Sequence, residues 1–197
     1  MFRAIFARGG LRLTSSALPP MLRSMAIREI LIYPDERLRE VAKPVADPTA
    51  PEVKQLIQDL ADTMYDAPGV GLAATQIGVG LRVVVTDTAW REEGSERELK
   101  AWINPEFLLM EGEATYEEGC LSVPEIFEEV KRAAKVRLRW QDESGKTHEG
   151  DFEGFQAVAL QHEFDHLDGK LFIDRLSVLK RNLIKKKLRK RKQRDGK

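Results

Sequence analysis

The sequence predicts an α+β fold of antiparallel strands and amphipathic helices, one of which carries two histidines on one face. Three observations carry that prediction. From Phe155 to Leu167 the apolar residues recur at helical spacing. Phe155, Val158 and Ala159 stand at i, i+3 and i+4, with His162 and His166 at i+7 and i+11. On either side of Glu143-Ser144-Gly145, Val136, Leu138 and Trp140 alternate with charges and Thr147 to Phe152 returns the chain, the pattern of a β-hairpin. Leu81 to Asp87, centred on three valines, reads as a β-branched strand, and the charged stretch Thr88 to Lys100 after it suits a hairpin tip.

The 197 residues suffice for one domain with a sizeable core, and 42% hydrophobic with 32% charged residues is an ordinary globular composition. No apolar run approaches the ~20 residues that span a bilayer, so no membrane partner is expected. The net charge of zero conceals an asymmetry. Residues 1–28 carry five Arg and no acid, and residues 180–197 carry eleven Lys or Arg against Asp195 alone, which leaves −15 for residues 29–179. Basic ends of this kind are interaction tails. Cys120 is the only cysteine, so an intramolecular disulfide is impossible and a reducing compartment, the cytoplasm, is expected.

Residues 1–27 read as an N-terminal extension, 28–179 as the catalytic body and 180–197 as a basic tail. The extension is Arg-bearing, Ser-containing and acid-free, which fits a transit peptide to a mitochondrion or plastid. Met21 and Met25 offer later translation starts, and that is the preferred reading. In the body, Ile30-Leu31-Ile32 forms a strand-like run broken by Pro34-Asp35. Pro44, Pro48 and Pro51 mark a loop, with Pro51 suited to a first helical turn. Val53, Leu56, Ile57, Leu60 and Met64 then form an amphipathic stripe that Pro68-Gly69 stops. The stretch Gly69–Gln76 lacks the third glycine and preceding strand of a dinucleotide fingerprint and, by itself, reads as a turn. Ala101–Phe107 and Glu113–Glu117 read as short strands. Glu118 to Ser122, followed by Pro124, reads as a tight irregular segment presenting Cys120. The tail has Leu183, Ile184 and Leu188 as its few apolar residues; as a basic helix or a solvated terminus it would bind polyanions by counterion release.

His162-Glu163-x-x-His166 places two imidazoles on one helix face with a carboxylate between them, the arrangement of two metal ligands and a general base. A catalytic site needs a third protein ligand and one open position for water. The candidates are Cys120, His148 and any carboxylate. His148 sits among solvated hairpin residues and is the weaker, whereas Cys120 would enter as a thiolate from a Gly-Cys turn. One thiolate and two imidazoles leave a divalent ion near +1, which lowers the pKa of a bound water toward ~7 and makes hydroxide available at neutral pH. A zincin-type endopeptidase would need its third ligand downstream of His166, where the sequence has no histidine.

Three segments in this order, Gly69–Gln76 (GVGLAATQ), Glu118–Ser122 (EGCLS) and Gln161–His166 (QHEFDH), together resemble the peptide deformylases. The resemblance runs from about Ile30 to Lys180 and, toward the end, to the bacterial type with a C-terminal helix. It implies the deformylase fold, an α+β fold with antiparallel β-sheets packed around a central metal-binding helix, and the removal of the N-formyl group from the initiator methionine of nascent polypeptides. Residue by residue it implies Cys120, His162 and His166 as metal ligands and Glu163 as general acid and base. It further implies the Gln76 amide and the Leu121 N–H as oxyanion donors, and Val70 and Gly71 along the peptide. Phe155, Val158 and Ala159 are expected to line the methionine pocket. The implied ion is Fe2+, with Zn2+, Ni2+ or Co2+ as substitutes. The implied partners are formyl-methionyl nascent chains and, through the basic tail, ribosomal RNA, and a monomer is expected. Pro124-Glu125-Ile126-Phe127 departs from members that carry Gly or a basic residue there, which leaves the outer-pocket preference open.

Overall fold

Helix α2 (Gly154–Leu167) is buried without a break from Ala157 to Leu167, including Gln161, His162, Glu163, Asp165 and His166. A helix enclosed on all sides is a core element rather than a surface one. Its surroundings explain the enclosure. The chain is seen in a computed structural model that describes residues 27–90 and 94–195. Apart from Ile27, the extension expected at 1–27 lies outside the described residues.

Seven strands form two antiparallel sheets among the described residues. The first sheet has the order β1-β2-β3-β6-β7, from Gly71–Ala73 (β1), Val83–Thr86 (β2), Lys100–Glu111 (β3), Lys135–Gln141 (β6) and Thr147–Glu153 (β7). The second pairs Ala114–Cys120 (β4) with Val123–Arg132 (β5). Trp102 of β3 and Leu138 of β6 pack against Leu160, Phe164 and Leu167 of α2. Helix α1 (Pro51–Asp66) lays Val53, Leu56, Ile57, Leu60 and Met64 on the β2–β3 region, against Val83, Val85 and Ile103. Each such side chain contributes roughly 1.5–3 kcal/mol by leaving water. On the other side, Val123, Ile126 and Val130 of β5 meet Leu171, Phe172 and Ile173.

The terminal helix α3 (Val178–Asp195) has its only two buried described side chains, Ile184 and Leu188, on that same cluster. Lys180 pairs with Glu128 at 2.7 Å, and Arg191 with Glu125 at 2.7 Å. The two short apolar contacts and these pairs lay the basic helix along β5.

Three expectations are corrected. Ile30–Ile32 is not a strand: Leu31 N–H donates to Gln76 O at 2.7 Å and Tyr33 N–H to Ser122 O at 2.9 Å, separate bridges rather than a ladder. Gly69–Gln76 is more than a turn, since it contains β1 and a 3₁₀ turn, Ala74–Ile77. The segment after Cys120 is not irregular throughout, because from Val123 it becomes the ten-residue strand β5.

Candidate metal centre

Sulfur and two ring nitrogens converge where β4 ends beside α2. Cys120 is the last residue of β4, and its Sγ lies 3.3 Å from His166 Nε2. One ligand atom each from Cys120, His162 and His166 fall within 4.8 Å of one another. The helix sets the two rings one turn apart, with centroids 5.1 Å apart. Phe172 stacks on His162, and Thr75 Oγ donates to the His166 carbonyl at 3.2 Å.

Behind the first ring is a buried chain of charges. His162 Nδ1 meets Glu118 Oε2 at 2.7 Å. The Arg132 guanidinium spans both Glu118 oxygens, at 2.5 and 2.9 Å, and reaches Asp165 at 2.8 Å. Arg175 closes the chain on Asp165 at 2.7 and 2.8 Å. With Glu118 occupying Nδ1, the Nε2 side of His162 is the one turned toward the cluster, the carboxylate–histidine device that orients metal ligands. Burial alone would raise Glu118 and Asp165, but Arg132, with His162 or Arg175, holds both below their ordinary values.

The donor set fits a divalent cation. Burial disfavours a charged His162, yet Cys120 and Glu118 on either side outweigh this and lift its pKa to about 10. The site thus stabilises positive charge beside the sulfur, where a metal ion would replace the proton. His166 goes the other way: burial and the neighbouring His162 charge hold it neutral, the form that ligates. Two buried polar atoms of the site, Glu163 Oε2 and His166 Nδ1, have no hydrogen-bond partner among the described residues. Burial also raises Glu163 to about 7, only partly offset by His162 and Arg132.

These groups open into a cleft of about 430 Å³, also lined by Val70, Gly71, Gln76, Leu121, Phe155, Val158 and Ala159. Apart from His148, the residues singled out in the sequence for ligation, catalysis and substrate contact border this one space, and His166 joins it through its cluster with Cys120 and His162. The wall at Gly69–Gly71 is fixed from outside: Trp90 Nε1 donates to Gly69 O at 2.7 Å and Asp87 N–H to Val70 O at 2.9 Å. Gln76 Oε1 accepts from Ala73 N–H at 2.8 Å. Its Nε2 therefore faces Ser122 Oγ at 3.2 Å and Cys120 Sγ at 3.7 Å. His148, the other ring considered as a ligand, is engaged by Asp142 at 2.6 Å, away from the cluster. Sequence reasoning missed Glu118 as the partner of His162 and Asp165 as a member of the charge chain, and it missed Arg132 altogether. Glu118 lies inside the EGCLS segment and Asp165 inside QHEFDH; Arg132 alone carries no local signal.

The polypeptide deformylase family model matches residues 27–182. The chain is 55% identical over 166 residues to a peptide deformylase of Alkalilimnicola ehrlichii, covering 84% of this chain and 91% of that protein. It is 52% identical over 169 residues to one from Bradyrhizobium diazoefficiens, covering 84% and 97%. Among solved structures, the peptide deformylase of Legionella pneumophila superposes with a TM-score of 0.78 at 49% identity, covering 87% of this chain and 99% of that one. The Ehrlichia chaffeensis enzyme in complex with actinonin gives 0.78 at 32% identity, covering 85% and 98%. With this geometry and these relatives, the chain belongs to the polypeptide deformylase family, enzymes that remove the N-formyl group from nascent polypeptides.

Proposed function

We propose that the deformylation is carried out by Glu163 beside one divalent ion held by Cys120, His162 and His166. The observation that carries this reading is the position of a buried, partnerless carboxylate oxygen next to a thiol and two imidazoles on an apolar cleft. When bound, the ion supplies Lewis-acid polarisation of the formyl oxygen and a water acidic enough to ionise near neutral pH.

Glu163 takes a proton from the attacking water and delivers one to the departing amine as the formamide C–N bond breaks. Water's oxygen ends in formate and the methionyl amine is freed. A carboxyl raised to about 7 by burial suits both halves of that transfer. The Gln76 amide, whose oxygen is held by Ala73 N–H, and the Leu121 N–H are the donors assigned to the oxygen on which charge develops. Removing one such donor typically costs about 2.7–4 kcal/mol of transition-state stabilisation. Val70 and Gly71 run along the peptide, and Phe155, Val158 and Ala159 receive the methionine side chain.

The resident ion is Fe2+, replaceable by Zn2+, Ni2+ or Co2+; a thiolate with two imidazoles accommodates all four. The enzyme acts as a cytoplasmic monomer, or in a mitochondrion or plastid if residues 1–24 are a transit segment. Helix α3 docks on ribosomal RNA through its exposed lysines and arginines.

Glu163→Ala is expected to keep its metal, by elemental analysis, and to release no formate from formyl-methionyl peptides. Retained turnover would remove Glu163 from the reaction. Internal cleavage of unformylated peptides by the wild-type protein would favour an endopeptidase instead.

A further inference from the structure

The Gly69–Gly71 wall of the cleft is held from behind by a side chain that does not itself border the cleft, Trp90. Three hydrogen bonds anchor this segment. Gly69 N–H donates to Met64 O at 2.9 Å, Asp87 N–H to Val70 O at 2.9 Å, and Trp90 Nε1 to Gly69 O at 2.7 Å. The first two join main chain to main chain and do not depend on which side chains are present. The third is made by the indole alone. Its place is prepared in turn. Buried Asp87 accepts from Ala89 N–H and Trp90 N–H on one oxygen, at 3.2 and 3.1 Å. On the other it accepts from Tyr65 OH and Glu98 N–H, at 2.7 and 2.9 Å. The Tyr65 ring meets the indole edge to face, with centroids 5.3 Å apart. A carboxylate bonded four times over fixes where the chain turns after β2, and the indole is aimed from there.

We propose that Trp90 is a positioning residue for deformylation, whose indole N–H presets the Gly69–Gly71 backbone for the incoming formyl peptide. This rests on the reading that Val70 and Gly71 run along that peptide. A β-carbon at Gly69 would lie 3.0 Å from Leu121 Cδ1, and one at Gly71 2.6 Å from Glu163 Oε1. The segment thus fits closely against the residue of one oxyanion donor and against the acid. Glycine leaves a chain the most backbone freedom, so a wall with two of them needs an outside hold to keep one conformation. Backbone fixed before binding need not be ordered during it, which strengthens binding. Once seated, the peptide orders the segment itself, and the chemical step gains nothing further from the indole. The contribution of Trp90 therefore falls in KM rather than in kcat.

The test sets Trp90→Phe, which keeps a ring against Tyr65 but has no N–H, and Trp90→Leu beside the wild type. All are metal-loaded, full-length enzymes assayed on formyl-Met-Ala-Ser. Both variants are expected to raise KM about three- to tenfold, the worth of one hydrogen bond, with kcat and metal content within about twofold. Hydrogen exchange across residues 69–72, read by mass spectrometry on the enzyme without peptide, should quicken in both. Unchanged exchange in Trp90→Phe overturns the proposal, because the donor then positions nothing. So does a fall in kcat at constant KM, the mark of a merely structural residue. Quickened exchange with KM and kcat unchanged instead sinks the reading of Val70 and Gly71 along the peptide, and the proposal falls with it.

Discussion

Glu163 occupies the space that a β-carbon at Gly71 would need: such an atom would stand 2.6 Å from its Oε1 and 2.7 Å from its Cγ. Gly71 is not at a positive φ, so close approach, rather than backbone freedom, is what demands glycine here. The substrate-side strand and the acid of α2 are thereby interlocked.

Gly71→Ala should accordingly displace Glu163 while leaving Cys120, His162 and His166 in place. Activity is expected to fall by about 10²-fold, the usual consequence of a misplacement near 1 Å. Metal content should be unchanged. Steady-state kinetics with elemental analysis read both, and loss of the metal would show that the interlock supports the ligands rather than the acid.

Arg132 carries a buried guanidinium against two buried carboxylates, Glu118 and Asp165. Arg132→Met strands both, at a cost of about 3–5 kcal/mol in unfolding free energy by denaturant titration. Glu118→Gln keeps the shape but weakens the hold on His162, and metal affinity should drop about 10- to 100-fold in a competition titration. An unchanged affinity would mean that His162 is oriented by packing on Phe172 alone.

Much of this was legible in the sequence wherever the signal is local. The stripes of α1 and α2 and the β6–β7 hairpin follow from periodicity, and the paired histidines follow from their spacing on one helix face. Strand β5 was not legible. Pro124, Glu125, Glu128 and Glu129 look like loop, and the buried Val123 is out of step with the buried Ile126, Val130 and Arg132, where the register with β4 shifts between Glu118 and Cys120. The charge chain was hidden for another reason. Arg132 stands 14 residues from Glu118 and 33 from Asp165, so only the folded topology makes them neighbours.

The same carboxylates predict an acid limit to stability. Arg132, with His162 or Arg175, depresses Glu118 and Asp165 below their ordinary values of 4.5 and 3.8 despite the opposing effect of burial. A depressed carboxyl stabilises the fold fully above its unfolded pKa and loses that contribution as pH falls through its folded one. Stability of the metal-free protein should therefore decline below about pH 4.5, by up to about 1.4 kcal/mol per pH unit for each carboxylate. Glu118→Gln should flatten that limb in denaturation series from pH 6 to 3; an identical slope would place the acid sensitivity elsewhere.

Helix α3 separates its roles by face. Ile184 and Leu188 are buried on the body, while Lys186, Lys187, Arg189 and Lys190 are exposed. Replacing those four by Gln should abolish sedimentation with ribosomes at physiological salt and leave turnover of short formyl peptides intact. The salt dependence of residual binding should become shallower by about 0.7–0.9 in log-log slope for each lost phosphate contact. Sedimentation equal to the wild type would remove the helix from ribosome binding.

The central claim is a coordination shell of one sulfur and two imidazole nitrogens with one corner left to water and substrate. X-ray absorption at the metal edge of anaerobically purified protein tests it most directly. One sulfur near 2.3 Å and two nitrogens near 2.0–2.1 Å, with a further oxygen that changes when a formyl peptide is added, is the expected result if the ion is zinc. A shell without sulfur, or one closed by a fourth protein ligand and indifferent to the peptide, would contradict it.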